Sequence, residues 1–190
     1  MKIATARLKS ASPYSQSRAH WTDKLEKEGA DAYEKRTWRE RLHSDPKTGE
    51  IFIPQMAIKN CLTECAKFLG RQIPGKGKST YTKHFEAGLL VKDPVMLGIK
   101  KADAIGETFF VPADGIRGSG KRVKKTFPMI PEWTGVATVY VLDDTITENV
   151  FVEHFEQAGQ FTGLGRFRPS KNGFYGRFDV VSVNWEEVRR

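Results

Sequence analysis

What the chain has little of narrows the field first. Its 190 residues include two cysteines, Cys61 and Cys65, too few for a disulfide framework and in keeping with a reducing cytoplasm. No apolar run approaches the roughly 18 residues of a membrane span. The opening residues MKIATARLKSASPYSQ turn polar at once, without the apolar centre of a secretory leader. The four histidines, His20, His43, His84 and His154, are scattered, and none stands at metal-ligand spacing from a cysteine. Nucleotide-binding signatures also fail. Gln72 stands where a phosphate-binding loop ending in Gly77, Lys78 and Ser79 needs glycine. Gly163 and Gly165 lack the third glycine of a dinucleotide fingerprint. No metal and no cofactor is expected.

What is present is a core and a charge. The chain carries 12 Phe, 5 Tyr and 4 Trp, too many aromatics for a disordered segment. It is long enough to bury roughly 70% of its unfolded surface. The formal net charge is +8, and it is not spread evenly. Residues 66–83 hold five Lys or Arg and no acid, residues 112–127 hold five against one acid, and residues 163–178 hold four and no acid. Each of the three runs is rich in glycine. Base excess gathered into loops is the footprint of a polyanion-binding surface.

Alternation and periodicity give the organisation. Residues 2–9 alternate as a strand, and residues 22–43, opened by Thr22 and Asp23 as caps, read as a highly charged helix. A turn at 44–49 leads to a short strand at 51–53 and a helix at 54–69, with Met56, Ile58, Leu62, Cys65, Ala66 and Leu69 on one side and Gly70 as its stop. Both cysteines lie on that helix as small packing residues. A basic loop at 74–82 precedes a short helix at 83–91. Strands follow at 108–112 and 135–142, then a helix at 148–159 opened by Thr147 and a last strand at 173–185. Residues 114–126 form a Gly-rich basic finger. Strand, helix, strand, strand, helix, strand is the ferredoxin-like, RRM-like order. The expectation is an α+β single domain over residues 1–190, with insertions at 22–49, 74–105 and 114–126.

At 51–69 the string IFIPQMAIKNCLTECAKFL resembles a feature of the repeat-associated mysterious protein (RAMP) superfamily. In that family a short strand ending in Ile-Pro enters a helix bearing a lysine about five residues on, here Pro54 and Lys59. The early loop with Ser10, Ser12 and Pro13 and the Gly/Arg segment from Gly163 to Arg168 fit the same family, whereas Gln55 and Met56 replace its usual small residues after the proline. The resemblance implies a guide-RNA-binding backbone subunit of a CRISPR effector complex, or a small stand-alone or phage-encoded relative. It implies copies arranged head to tail along the strand and other effector subunits as partners. A phosphate would sit at the turn before Gln55, reached by Lys59, and the finger would act as a thumb.

The candidate nucleic-acid-binding residues are Lys59, Arg71, Lys76, Lys78, Arg117, Lys121, Arg122, Lys124, Lys125, Arg166, Arg168 and Lys171 for phosphates, with Phe167 and Tyr175 for stacking on bases. The ligand expected is single-stranded RNA or single-stranded DNA, bound without membrane association. Two alternatives stand beside this reading. One is a RAMP-type endoribonuclease, with His20 as acid–base group or Asp23 as metal-dependent candidate. The other is a phage-encoded single-strand-binding protein, or a decoy acting on CRISPR effector assembly that docks through Trp21, Tyr33 and Trp38.

Overall fold

The computed structural model describes residues 1–116 and 118–188. Strand β1 (Lys2–Ser10) lies inside a four-stranded antiparallel sheet, flanked on one side by β8 (Thr134–Val141) and on the other by β9 (Phe178–Glu187). Strand β4 (Leu89–Val91) pairs with the far side of β8. The order β4-β8-β1-β9 puts the first core strand beside both the third and the fourth, as the ferredoxin-like arrangement requires.

Alternation on β1 decides which face is covered. Ala4, Ala6 and Leu8 are buried, as are Ala137, Val139 and Val141 on β8. They join one core with Ile58, Leu62 and Cys65 of α2 (Gln55–Leu69) and with Phe151 and Phe155 of α4 (Glu148–Gln157). Helix α2 ends at Gly70, which adopts φ +55°, and Thr147 caps α4 by accepting from the Val150 N–H. A π turn, Ala158–Thr162, extends α4. There the chain crosses β9 so closely that a Cβ on Gly159 would lie 2.0 Å from the Phe178 carbonyl oxygen.

Several expectations need correction. The second core strand is β4, within the stretch read as a helix at 83–91, of which only α3 (Thr82–Gly88) is helical. A three-residue Leu-Leu-Val strand that starts directly after the last helical residue, Gly88, is too short to carry a periodicity. Residues 108–112 belong instead to β6 (Ile105–Pro112), paired with β7 (Arg122–Ile130) from Ile105↔Met129 out to Pro112↔Arg122. With the two-residue β2 (Tyr14–Ser15) this hairpin forms a separate sheet. The finger is therefore an eight-pair ladder with a tip at 113–121, longer and more ordered at its base than 114–126 suggested. Strand β3 (Glu50–Ile53) pairs with β5 (Val95–Lys100), inside the stretch read as an insertion at 74–105.

The charged helix is also shorter than its composition implied. Helix α1 covers Ala30–Thr37, continued by a 3₁₀ turn at Trp38–Arg41. Upstream, Lys27 takes a left-handed φ of 57°. The helix has Gly29 as its N-cap, so neither Thr22 nor Asp23 caps it; their carbonyls accept from the Tyr33 hydroxyl and the Arg36 guanidinium. The last strand begins at Phe178, and residues 173–177 bend irregularly before it.

Burial sets the chemistry of two residue types. It pushes the Cys65 thiol up to about 11 and the Cys61 thiol higher than its ordinary value. His154, fully buried on α4, donates from Nδ1 to the Val150 carbonyl at 2.7 Å and stacks on Phe85 with ring centroids 4.4 Å apart. Its Nε2 has no partner among the described residues, and burial lowers its pKa. Burial lowers the pKa of His20 and His43 as well.

A folded-state imidazole with a depressed pKa resists protons that the unfolded chain accepts. The stability these groups contribute is full above their unfolded value of about 6.5 and is lost as pH falls below it. The thermal midpoint is therefore expected to drop on going from about pH 7 to about pH 5. His154→Phe keeps a ring in place without a titrating nitrogen and should flatten that drop. A profile unchanged from the parent chain would show that His154 does not drive it.

Candidate nucleic-acid interface

The loop after β2 and the hairpin β6–β7 face one another across a cleft of about 860 Å³. The loop supplies Arg18, His20 and Trp21, the hairpin supplies Phe110, Arg122, Lys125 and Phe127, and the Gly/Arg segment supplies Phe167, Lys171 and Asn172. Arg41, at the end of the 3₁₀ turn, completes the lining. None of the described residues lining the cleft is acidic, while Arg18, Arg41, Arg122, Lys125 and Lys171 are cationic. Trp21, Phe110 and Phe167 are 91%, 63% and 45% exposed, so aromatic surface faces water among these charges. A second groove of about 600 Å³ shares His20, Arg41, Phe110, Arg122 and Lys125 with the cleft, and adds Lys24 and Lys124 together with the acids Asp31 and Glu34 on the α1 side.

Beneath the cleft the cations are held by specific partners. Arg41 is buried and donates through both terminal nitrogens to the Glu34 carboxylate at 2.8 and 3.0 Å, and again to the Thr126 carbonyl at 2.9 Å. Glu34 also accepts the Thr126 N–H at 2.6 Å, so one carboxylate ties α1 to the hairpin. The Arg41 guanidinium lies 5.3 Å from the Phe127 ring centre. Arg166 lies 3.5 Å from the same ring and 3.8 Å from that of Phe167. Burial draws the Arg166 pKa down to about 10, which leaves it charged at neutral pH.

The Gly/Arg segment is fixed by its backbone. Gly165 has φ +73°, and a Cβ there would fall 2.3 Å from the Ser15 carbonyl oxygen. The Arg166 N–H donates to that same carbonyl at 2.8 Å. Arg168 donates to Glu64 on α2 at 3.1 Å, and Lys171 lies 3.5 Å from the same carboxylate. Arg168 is thus an anchor, not a free cation. Tyr175 donates its hydroxyl to Glu107, and burial together with that carboxylate pushes the phenol up to about 12.

The structure separates the remaining candidates. The hairpin cations gather around the cleft: Arg122 and Lys125 line it, Lys124 sits 5.8 Å from the Phe110 ring centre, and Lys121 is exposed just before β7. Arg117 lies outside the described residues. Lys59 is not directed at a phosphate site before Gln55, because its Nζ donates to the Phe85 and Glu86 carbonyls at 2.7 and 2.6 Å and so closes the end of α3. Arg71 is paired with Glu153. Lys76 and Lys78 are exposed in a loop that does not line the cleft.

His20 lines the cleft, with Nδ1 3.1 Å from the Thr22 hydroxyl and its ring stacked on Tyr33. Asp23 is exposed and does not line it. Arg18, Arg41 and Phe110 were missed as site residues. Phe110 had a legible signal, since it follows Phe109 in an alternating strand and must point to the opposite face.

The chain matches no protein-family model and no curated protein. Solved structures are similar in fold. A chain of the Type III-B Cmr-beta complex bound to cognate target RNA aligns over 97% of this chain with a TM-score of 0.59 at 11% identity. The present chain spans 60% of that neighbour's length. Cmr6 from Pyrococcus furiosus aligns over 95% of this chain and 99% of its own, with a TM-score of 0.49 at 14% identity. A CRISPR RNA-guided surveillance complex gives 0.40 at 8% identity, over 96% of this chain and 68% of its own. The likeness is one of fold, and the first alignment carries it.

Removing one member of a buried, hydrogen-bonded ion pair strands the other charge, at a cost of about 3 kcal/mol or more. Glu34→Ala is expected to lower unfolding free energy by roughly that amount, measured by urea denaturation. A loss no larger than an exposed pair gives would mean that water reaches Arg41.

Proposed function

We propose that this chain binds single-stranded RNA in the cleft between the β2 loop and the hairpin, without cutting it, as a subunit of a CRISPR-type ribonucleoprotein assembly. One observation carries the reading: four segments remote in sequence converge on a cleft whose described lining has five cations, three exposed aromatic rings and no acid. Phosphates need the cations, bases need the rings, and an acid would repel the strand. The fold supports the assignment through its likeness to a subunit of a complex bound to target RNA. The finer parts of the proposal are that copies of this chain line up head to tail along the strand, and that they meet other effector subunits there.

A second reading, endoribonuclease activity, is favoured by the position of His20 in the cleft. Burial and the nearby Arg41 lower its pKa, which keeps the imidazole neutral and able to accept a proton. The two readings separate on the fate of the strand.

The test is a titration of a labelled ~40-nucleotide strand, as RNA and as DNA, by anisotropy at several salt concentrations, with gel analysis of the strand and light scattering of the complex; this length holds several modules. RNA is expected to bind more tightly than DNA, to stay intact, and to gather more than one copy. Changing Lys121, Arg122, Lys124 and Lys125 together to alanine should weaken binding and reduce the slope of log affinity against log salt by about 0.7 for every phosphate no longer neutralised. An unchanged slope removes the hairpin from the interface. Fragments that vanish in His20→Ala would establish the nuclease instead.

A further inference from the structure

We infer that the cleft contains a preorganised stacking subsite for an unpaired nucleobase, in which Phe167 is the platform and Arg166 is a positioning residue for that platform. This deepens the RNA-binding reading above and rests on it. It also reassigns Arg166, which the charge pattern had grouped with the phosphate contacts.

The backbone at Phe167 holds φ +54°, a left-handed conformation that is unfavourable for a bulky L-residue and persists only where the surroundings impose it. The surroundings do impose it. The Arg166 N–H is tied to the Ser15 carbonyl at 2.8 Å, and the Phe167 carbonyl accepts the Tyr175 N–H at 3.0 Å. Gly173 passes so close that a Cβ would lie 1.8 Å from that carbonyl oxygen. This ring is 45% exposed and lines the cleft.

Behind the ring, the Arg166 guanidinium sits between Phe127 and Phe167, at 3.5 and 3.8 Å from their ring centres, with Phe109 at 5.2 Å. Arg41 lies over Phe127 as well. Cation and ring alternate from the buried Arg41–Glu34 pair outward to Phe167. Desolvation strengthens each cation–π contact, and the ladder leaves Phe167 little freedom to rotate. A ring that is already fixed loses less entropy when a base stacks on it. Arg166 itself does not line the cleft, and its Nη1 is buried without a hydrogen-bond partner among the described residues. A guanidinium committed to two ring faces, with a terminal nitrogen sealed from solvent, is built to orient its neighbours.

The experiment uses the full chain and two single strands of the same length and charge, one RNA and one carrying abasic residues throughout. Phe167→Ala and Arg166→Met are each expected to weaken RNA binding roughly ten-fold, the order of one base–aromatic stack. Each should leave abasic-strand affinity and the salt slope of the parent unchanged. Phe167→Trp, which keeps a platform, should retain RNA affinity, and the double variant should lose no more than either single one. If Arg166→Met weakens both strands equally and flattens the slope, Arg166 is a phosphate ligand and the inference falls. If Phe167→Ala, at an exposed position that should not compromise folding, binds RNA as the parent does, the platform falls while the RNA-binding function stands. If the parent chain binds neither strand, the RNA-binding reading itself is overturned.

Discussion

The cleft depends on a single carboxylate. A concave surface with five cations repels itself, and the repulsion is greatest where water is thinnest, around Arg41. Glu34 answers that by accepting two hydrogen bonds from Arg41 and one from the Thr126 N–H. The same group neutralises the buried charge and fixes the hairpin to α1, so the electrostatics and the shape of the cleft are maintained together. With the Arg41 charge answered by Glu34, the positive potential offered to a polyanion comes from the other four cations of the cleft.

Much of the scaffold was legible because its strands and helices keep their period. Ala4, Ala6 and Leu8 alternate with Ile3, Thr5 and Arg7 along β1, the residues Ile58, Leu62 and Cys65 recur one turn apart on α2, and Thr147 announces α4. The unreadable parts have physical causes. β4 is too short to show alternation. β5 carries Gly98 at φ +68°, which interrupts its pattern. The charged stretch from 22 reads as helix by composition, yet side-chain bonds to the carbonyls of Thr22 and Asp23 hold it in an irregular loop.

The site was half legible for a related reason. Net charge along the chain locates cations and says nothing about which are already spent. Arg71 is paired with Glu153, Arg168 with Glu64, and Lys59 with the carbonyls ending α3. Of the three basic runs, those around the hairpin and the Gly/Arg segment meet at the cleft, and the loop at 70–80 does not line it. Arg41 was hidden in the opposite way, as one more charge in a highly charged helix, although its burial makes it the cation on which the interface is founded.

The two thiols of α2 carry a consequence for where such a chain can work. Thiolates, not thiols, are attacked by peroxide and exchange with disulfides. Cys61 and Cys65 face the core, and burial holds both in the protonated form well above neutral pH. An oxidant that attacks exposed, low-pKa cysteines would find neither of these two within reach. Neither thiol is offered to such oxidants for as long as the helix stays packed on the sheet.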